Sequence, residues 1–160
     1  MTRPEALNWS IDTCTVQRAL AVIGDRWSFV VLREVFNGIR RFDDVRIRTA
    51  IPRQVLTDRF ALLVTEGILR REPYRENGQR MRHEYRLTPK GFDLYPILVA
   101  LNDWGGAYYA DADGSPLRFE HRDCGADVHV TLRCAQGHEI ADPRRVLPAP
   151  GPGAHRRETG

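Results

Sequence analysis

Lysine is nearly missing from this sequence: Lys90 stands alone beside twenty-three arginines, a bias of the kind a GC-rich coding genome imposes. No apolar run approaches the roughly twenty residues that a helix needs to cross a bilayer. The opening MTRPEALNWS also lacks the apolar core of a secretory signal. Both absences predict a cytoplasmic protein without a membrane partner, in which Cys14, Cys124 and Cys134 stay reduced. Equally absent are a nucleophile elbow, a glycine-rich phosphate loop and a His-Glu-x-x-His helix. The adjacent carboxylates Asp43 and Asp44 would diverge on a helix, so they read as a solvated face. The chain is therefore expected to be no enzyme and to require no cofactor.

Disorder is excluded for most of the chain, because 42% apolar and 9% aromatic residues are enough for a core. A length of 160 residues leaves room for one ordinary domain and an appendage. The net charge is only +3, but it is unevenly placed: thirteen basic residues face seven acidic ones between Arg40 and Lys90, while the last fifty residues are slightly acidic. A local excess of that kind suits a polyanion, although a mixed-charge solvated surface would share it.

The most informative stretch runs from Ile51 to Leu87. IPRQVLTDRFALLVTEGIL reads as a helix with Pro52 at its first position, Leu56, Phe60 and Leu63 on the apolar stripe, and Gly67 at the stop. LRREPYRENGQRMRHEYRLT then reads as a hairpin turning on Asn77-Gly78, with Tyr85 and Leu87 on a buried face. Its arms carry Arg70, Arg71, Arg75, Arg80, Arg82 and Arg86 against Glu72, Glu76 and Glu84. A polar-tipped helix followed by a basic hairpin is the winged helix-turn-helix plan, with the helix in the major groove of double-stranded DNA and the hairpin on the phosphates or in the minor groove. Base contacts are expected around Pro52, Arg53, Gln54, Thr57 and Asp58, since Arg and Gln are the usual bidentate readers of guanine and adenine. Backbone contacts are expected from Arg40, Arg41, Arg75, Asn77, Gln79, Arg80 and Arg82. Arg59, towards the side of the helix, should bind a phosphate or an acidic neighbour such as Asp43.

Residues 14–110 resemble the HxlR family of bacterial transcriptional regulators, near the MarR-type winged helices. The likeness rests on Cys14, on IGDRWSFVVLREVFNGIRRFDDV, on LTDRFALLVTEGILRR and on HEYRLTPKGFDLYPILVALNDWG, in that order. One departure is Pro52, which stands where the family usually has a small hydroxyl residue. The resemblance implies a homodimer whose first and last helices pair across a two-fold axis.

Earlier in the chain, Trp9 and Ile11 are expected to fold back from a leader of residues 1–13. Val16, Leu20 and Ile23 outline a short helix beginning near Cys14. Asp25 caps a second helix with Trp27, Val30, Val31, Val35 and Phe36 mainly in the core, and Arg41-Phe42 opens a third with Val45 inward. Thr88-Pro89 starts the last helix, along which Leu94, Ile97, Leu98, Leu101, Trp104 and Tyr108 give more apolar surface than a small domain can cover. With Val16 and Leu20 they are the expected dimer seam. Cys14 has two readings. Unpaired N–H groups at a helix start, with Arg18 one turn on, favour a reactive thiolate, and the resemblance implies sensing of oxidants or electrophiles there. A buried small residue at the seam is the other.

A second unit is expected over 111–147, entered through the Asp111–Gly114 turn, with Val128, Val130 and Leu132 alternating in one hairpin. His121-x2-Cys124 and Cys134-x3-His138 resemble the ligand pairs of a zinc ribbon, except that Gly137 occupies the place of a second Cys-x2-Cys cysteine. They either hold zinc or mark a decayed ribbon. Residues 148–160, rich in proline and glycine, are expected to be disordered.

The fold class is thus mainly α with a small β-wing (α+β): a winged helix-turn-helix, a helical dimer interface and a small C-terminal β extension. The function read from it is a homodimeric, sequence-specific repressor of an inverted-repeat operator, switched by Cys14 or a small-molecule ligand. The rival reading is a winged-helix protein-interaction module without specific DNA binding, against which the basic hairpin argues.

Overall fold

The computed structural model describes residues 9–76, 78 and 80–157. They fall into two compact units, one of residues 22–130 and one combining the described parts of 1–21 and 131–160.

The larger unit is built outward from the helix-turn-helix. Helix α2 (Arg26–Phe36) begins where the Asp25 carboxylate accepts from the Trp27 and Ser28 amides, so two otherwise unpaired N–H groups are satisfied. Asn37 ends it, and Gly38 at φ +83 turns the chain away. Helix α3 (Phe42–Thr49) stops at Ala50, a non-glycine in the left-handed region at φ 54. The strain is held locally: Ala50 N donates to Arg46 O, Thr49 Oγ1 donates to Val45 O, and Ile51 is buried immediately after. Helix α4 (Arg53–Thr65) follows, starting one residue later than the sequence implies, because Pro52 keeps extended backbone and acts as the residue before the first turn. Its stripe of Leu56, Phe60 and Leu63 is buried, and Gly67 at φ +66 closes the end while Ile68 N reaches back to Leu63 O.

Strands β1 (Leu69–Tyr74) and β2 (Arg82–Leu87) pair antiparallel with Leu69 opposite Leu87 and Arg71 opposite Tyr85. Tyr85 stacks on Phe60 at 3.8 Å between ring centroids, which fixes the hairpin against α4. A single rung continues the sheet, with Tyr85 N donating to Arg40 O at 2.8 Å. Core residues Val31, Leu32, Val45, Ile51, Leu56, Phe60, Leu63, Leu69 and Tyr85 join all these elements in one cluster.

The last helix is two helices, not one. Thr88 caps α5 (Pro89–Phe92) by accepting from Gly91 N, and α6 (Tyr95–Tyr109) begins afresh. Pro96 in the first turn of α6 has no N–H to bond back across the break. Leu98 and Leu94, expected at a subunit seam, point inward instead: Leu98 is buried with Val99 and Phe119, and Leu94 packs on the main core.

The boundary expected near residue 110 lies twenty residues later. Asn102 of α6 donates to Leu117 O and accepts from Ser115 Oγ, while Phe119 is buried edge-on to Tyr95, so the chain through residue 130 shares the helix's apolar contacts. The single hairpin through Val128, Val130 and Leu132 does not form; Val130 and Leu132 are exposed. Two separate knuckles replace it. In one, Gly125 N donates to His121 O and Val128 N to Phe119 O; in the other, Gly137 N donates to Cys134 O and Ile140 N to Leu132 O. Gly125 at φ +70 and Gly137 at φ +82 make both turns possible.

In the smaller unit, α1 (Thr15–Ile23, its last two residues belonging to the larger unit) follows Cys14, whose carbonyl accepts from Arg18 N. Ile11 is exposed, contrary to expectation, and Trp9 forms a single bridge to Arg156. The segment from Pro148, expected to be disordered, is drawn in by bonds to its main-chain carbonyls that need no apolar side chains: Ser10 N donates to His155 O and the Thr13 hydroxyl to Gly153 O. Residues 1–8 and 158–160 lie outside the described part. No helix among the described residues is long and apolar enough to cross a membrane.

Candidate nucleic-acid interface

At the exposed start of α4, Arg53, Gln54, Thr57 and Asp58 are all open to solvent. They are not idle. Gln54 Nε2 donates to Asp58 Oδ1 at 2.9 Å, Thr57 Oγ1 donates to Arg53 O at 2.9 Å, and the Arg53 guanidinium sits 5.5 Å from the Phe42 ring. The face is therefore polar and pre-oriented, but Gln54 must release Asp58 before its amide can read a base in bidentate fashion. Arg59, expected to bind a phosphate or an acidic neighbour such as Asp43, has Asp25 as its acidic neighbour, with Nη1 3.9 Å from Asp25 Oδ1.

Pairing sorts the basic residues of the hairpin. Arg70 pairs with Glu72 at 2.6 Å, and Arg86 with both Glu72 at 2.7 Å and Glu84 at 2.6 Å. The Glu84 hydrogen bond raises the Arg86 pKa above its ordinary value, with the charges of Glu72 and Glu84 adding to it. Arg41, predicted as a phosphate contact, is likewise engaged: its Nη1 lies 2.6 Å from Glu76 Oε1 and its guanidinium covers the Tyr74 ring at 4.3 Å. That bond to Glu76 raises its pKa too. Arg40, Arg75, Arg80 and Arg82 are exposed. Among the described residues, Arg71, Arg80 and Arg82 of the hairpin have no ion pair. Asn77 and Gln79, expected to contribute at the same tip, lie outside the described residues.

Between α4 and the hairpin runs a cleft of about 310 Å³ lined by Arg41, Arg53, Arg71, Arg82 and His83 against Asp43 and Asp44. Arg71 and His83 were not among the residues picked from the sequence. Alternation in β1 and β2 could have marked them, since each shares a face with a residue that packs on α4.

The remaining site residues are elsewhere. On α6, Ile97, Leu101, Trp104 and Tyr108 are 43–72% exposed. Trp104 sits between Tyr108 and Tyr109 at centroid distances of 5.7 and 5.1 Å. Val16 and Leu20 on α1 are also exposed. Cys14 is half-buried at one wall of a cavity of about 440 Å³ shared with Ile11, Asp12, Gln17 and Arg18. His121 Nδ1 and Cys124 Sγ approach to 3.2 Å in the first knuckle, and Cys134 N bonds His138 O in the second. Among the described residues no group of three or more His, Cys, Asp or Glu side chains is placed to hold a metal ion.

Comparison with known proteins bears on this arrangement. Residues 22–113 match the HxlR-like helix-turn-helix family. Over 139 residues, 87% of each chain, the sequence is 40% identical to Mb3122 of Mycobacterium bovis, an HTH-type transcriptional regulator. The fold is similar to the crystal structure of PA1607, assigned as a transcription factor, with a TM-score of 0.73 and 35% identity over 86% of this chain and 95% of that one. It is also similar to the redox regulator HypR in its oxidised form, with a TM-score of 0.54 and 31% identity over 61% of this chain and 100% of the other.

Proposed function

The chain belongs to the HxlR-like helix-turn-helix family of DNA-binding transcriptional regulators, and from that premise we propose that it is a homodimeric repressor of an inverted-repeat operator. Two α4 helices related by a dyad would enter successive major grooves ~34 Å apart. The observation that carries this reading is the exposed polar start of α4 beside a cleft with four arginines. A winged module that served only to bind protein would have no use for that concentration of cations next to a helix end.

Dimerisation is supported by the apolar face of α6, where Trp104, Tyr108, Ile97 and Leu101 leave more apolar surface in water than an isolated domain tolerates; Val16 and Leu20 on α1 are exposed as well. Covering them with a second copy sets the separation of the two α4 helices. Cys14 is the candidate switch: it opens α1, is half-buried, and faces a cavity that an oxidant or electrophile can enter. A small-molecule ligand at the dimer cleft is the alternative effector.

Titrating the protein with its own promoter DNA and with random duplex at several salt concentrations tests the reading. Promoter binding should exceed random binding by a factor of about 10³ or more. Equal affinity for both would return the chain to the protein-interaction class.

A further inference from the structure

The two faces of the hairpin differ in charge state, and the difference says which one meets DNA. Strand alternation and register place Leu69, Arg71 and Pro73 on one face with Leu87, Tyr85 and His83 opposite them. Near the core this face is apolar, because Leu69 is buried and Tyr85 stacks on Phe60 of α4. One step outward it carries the charge of Arg71, with His83 beyond it. The other face carries Arg70, Glu72, Glu84 and Arg86, with Tyr74 and Arg82 beyond them; there Arg70 and Arg86 are neutralised by the two glutamates, and Arg82, at the outer end, also lines the cleft.

Arg71 is different. Among the described residues it has no ion pair, and its guanidinium rests 5.8 Å from the centroid of the Tyr85 ring. It lines the same cleft as Arg53, the first residue of α4. An arginine held over an aromatic ring keeps its N–H edge available while its stem is fixed, so little freedom is lost when an anion binds. Arg71 thus combines a stem resting on an aromatic ring, a guanidinium without an ion pair among the described residues and a place in the cleft that Arg53 also lines.

We propose that this cleft is a track for one sugar-phosphate strand of the operator, with Arg71 as its principal phosphate ligand, Arg53 and Arg82 at its sides and His83 as a further donor. The hairpin would then grip DNA along its inner face, beginning close to the core, as well as at its tip. The inference rests on the DNA-binding reading above and adds the path of the strand. Asp43 and Asp44 also line the cleft and repel phosphate, so the strand is expected to follow the arginines and not the start of α3.

The test compares two neighbouring arginines of opposite facing. Arg71→Gln keeps the stem over Tyr85 and removes the charge; Arg70→Gln removes the same charge from the other face. Binding of each full-length variant to promoter and to random duplex is measured as a function of salt, with thermal melting to show that both fold. Arg71→Gln should weaken binding to both DNAs by roughly tenfold and lower the slope of log K against log salt by about one. Arg70→Gln should leave the slope within error of wild type. Equal losses in both variants, a loss only in Arg70→Gln, or no loss in either would overturn the strand path. In each of those cases a preserved promoter preference of the wild type leaves the regulator reading standing. A wild type without promoter preference removes both together.

Discussion

Arg48 Nε of α3 lies 2.5 Å from Glu34 Oε2 of α2, and the Glu34 side chain is completely buried. The other carboxylate oxygen, Oε1, accepts from Arg33 Nε at 2.7 Å and Nη2 at 2.5 Å. Glu34 therefore joins the supporting helix to the first helix of the DNA-reading pair, while both arginines keep 41% and 58% of their side chains exposed. Removing Glu34 lets those arginines turn to water, so the cost is smaller than that of stranding a buried charge. Three charge-assisted bonds, from two arginines, are still lost. Glu34→Ala is expected to lower stability by about 2–3 kcal/mol and to weaken operator binding through the loosened α3. Urea unfolding followed by DNA titration checks both, and unchanged stability would show that the link contributes nothing.

Gly91 makes a sharper prediction about the joint behind the hairpin. A Cβ there would come within 2.3 Å of the main-chain oxygen of Ile68, which itself accepts from Thr88 N. Backbone cannot move aside as a flexible side chain can. Gly91→Ala should cost roughly 1–3 kcal/mol by forcing α5 off the end of α4, seen as a lower denaturation midpoint. A variant as stable as wild type would mean that the joint is looser than its geometry implies.

The same joint shows what a sequence can and cannot declare. Caps and turns are local chemistry, and Asp25, Gly67, Thr88 and the Phe60 stripe all do what their neighbours in sequence imply. Glu34 is the opposite case. A glutamate in mid-helix reads as solvated, and its burial depends on Arg48, fourteen positions away, which periodicity cannot reveal. Leu98 and Ile97 look interchangeable as apolar positions, yet Phe119 packs with the first, which is buried, while the second stays 43% exposed. The arginines of the hairpin could be counted but not sorted, because sorting needs the register as well as the pairing of Glu72 and Glu84.

For DNA reading, Arg53→Ala or Gln54→Ala should each remove ~1–3 kcal/mol of discrimination at one base pair. Arg80→Ala, at the exposed tip, should weaken promoter and random DNA alike and reduce the salt slope by about one. The Gln54–Asp58 bond adds a finer expectation. Asp58→Ala frees the amide and removes a carboxylate that repels phosphate, so binding to all DNA should tighten. Competition assays over a set of single-base operator variants read these effects; equal losses on every sequence for Arg53→Ala and Gln54→Ala would discredit α4 as the reader.

Trp104 tests the subunit seam. It is 55% exposed in the single chain and lies amid Tyr108 and Tyr109. Trp104→Glu places a charge in the face proposed to be covered and should yield a folded monomer by light scattering, with operator binding lost because the two half-sites are no longer engaged together. A variant that remains dimeric would move the seam elsewhere.

The switch prediction follows from where Cys14 stands. Its carbonyl accepts the first α-helical bond of α1, from Arg18 N, so the thiol is fixed at the entry of a helix proposed to lie in the dimer seam. Half-burial beside a cavity of about 440 Å³ leaves room for a peroxide or quinone to reach the sulfur, and the group added there would lie where the second copy is proposed to pack. Oxidation to a sulfenic acid, or a disulfide formed with loss of two electrons to the oxidant, then overpacks or ties the seam, at a typical cost of ~1–3 kcal/mol. Spent on the joint that spaces the two α4 helices, that energy changes operator affinity by roughly ten- to hundredfold. Mild oxidant is therefore expected to release wild-type protein from its operator, reversibly with thiol, while Cys14→Ser stays bound. The double variant Cys124→Ser, Cys134→Ser should respond like wild type if the disulfide joins two Cys14 thiols or a small thiol. Gel-shift titrations with and without oxidant decide among these. Release of Cys14→Ser at the dose that releases wild type would eliminate the thiol switch and leave a ligand at the dimer cleft as the effector to seek.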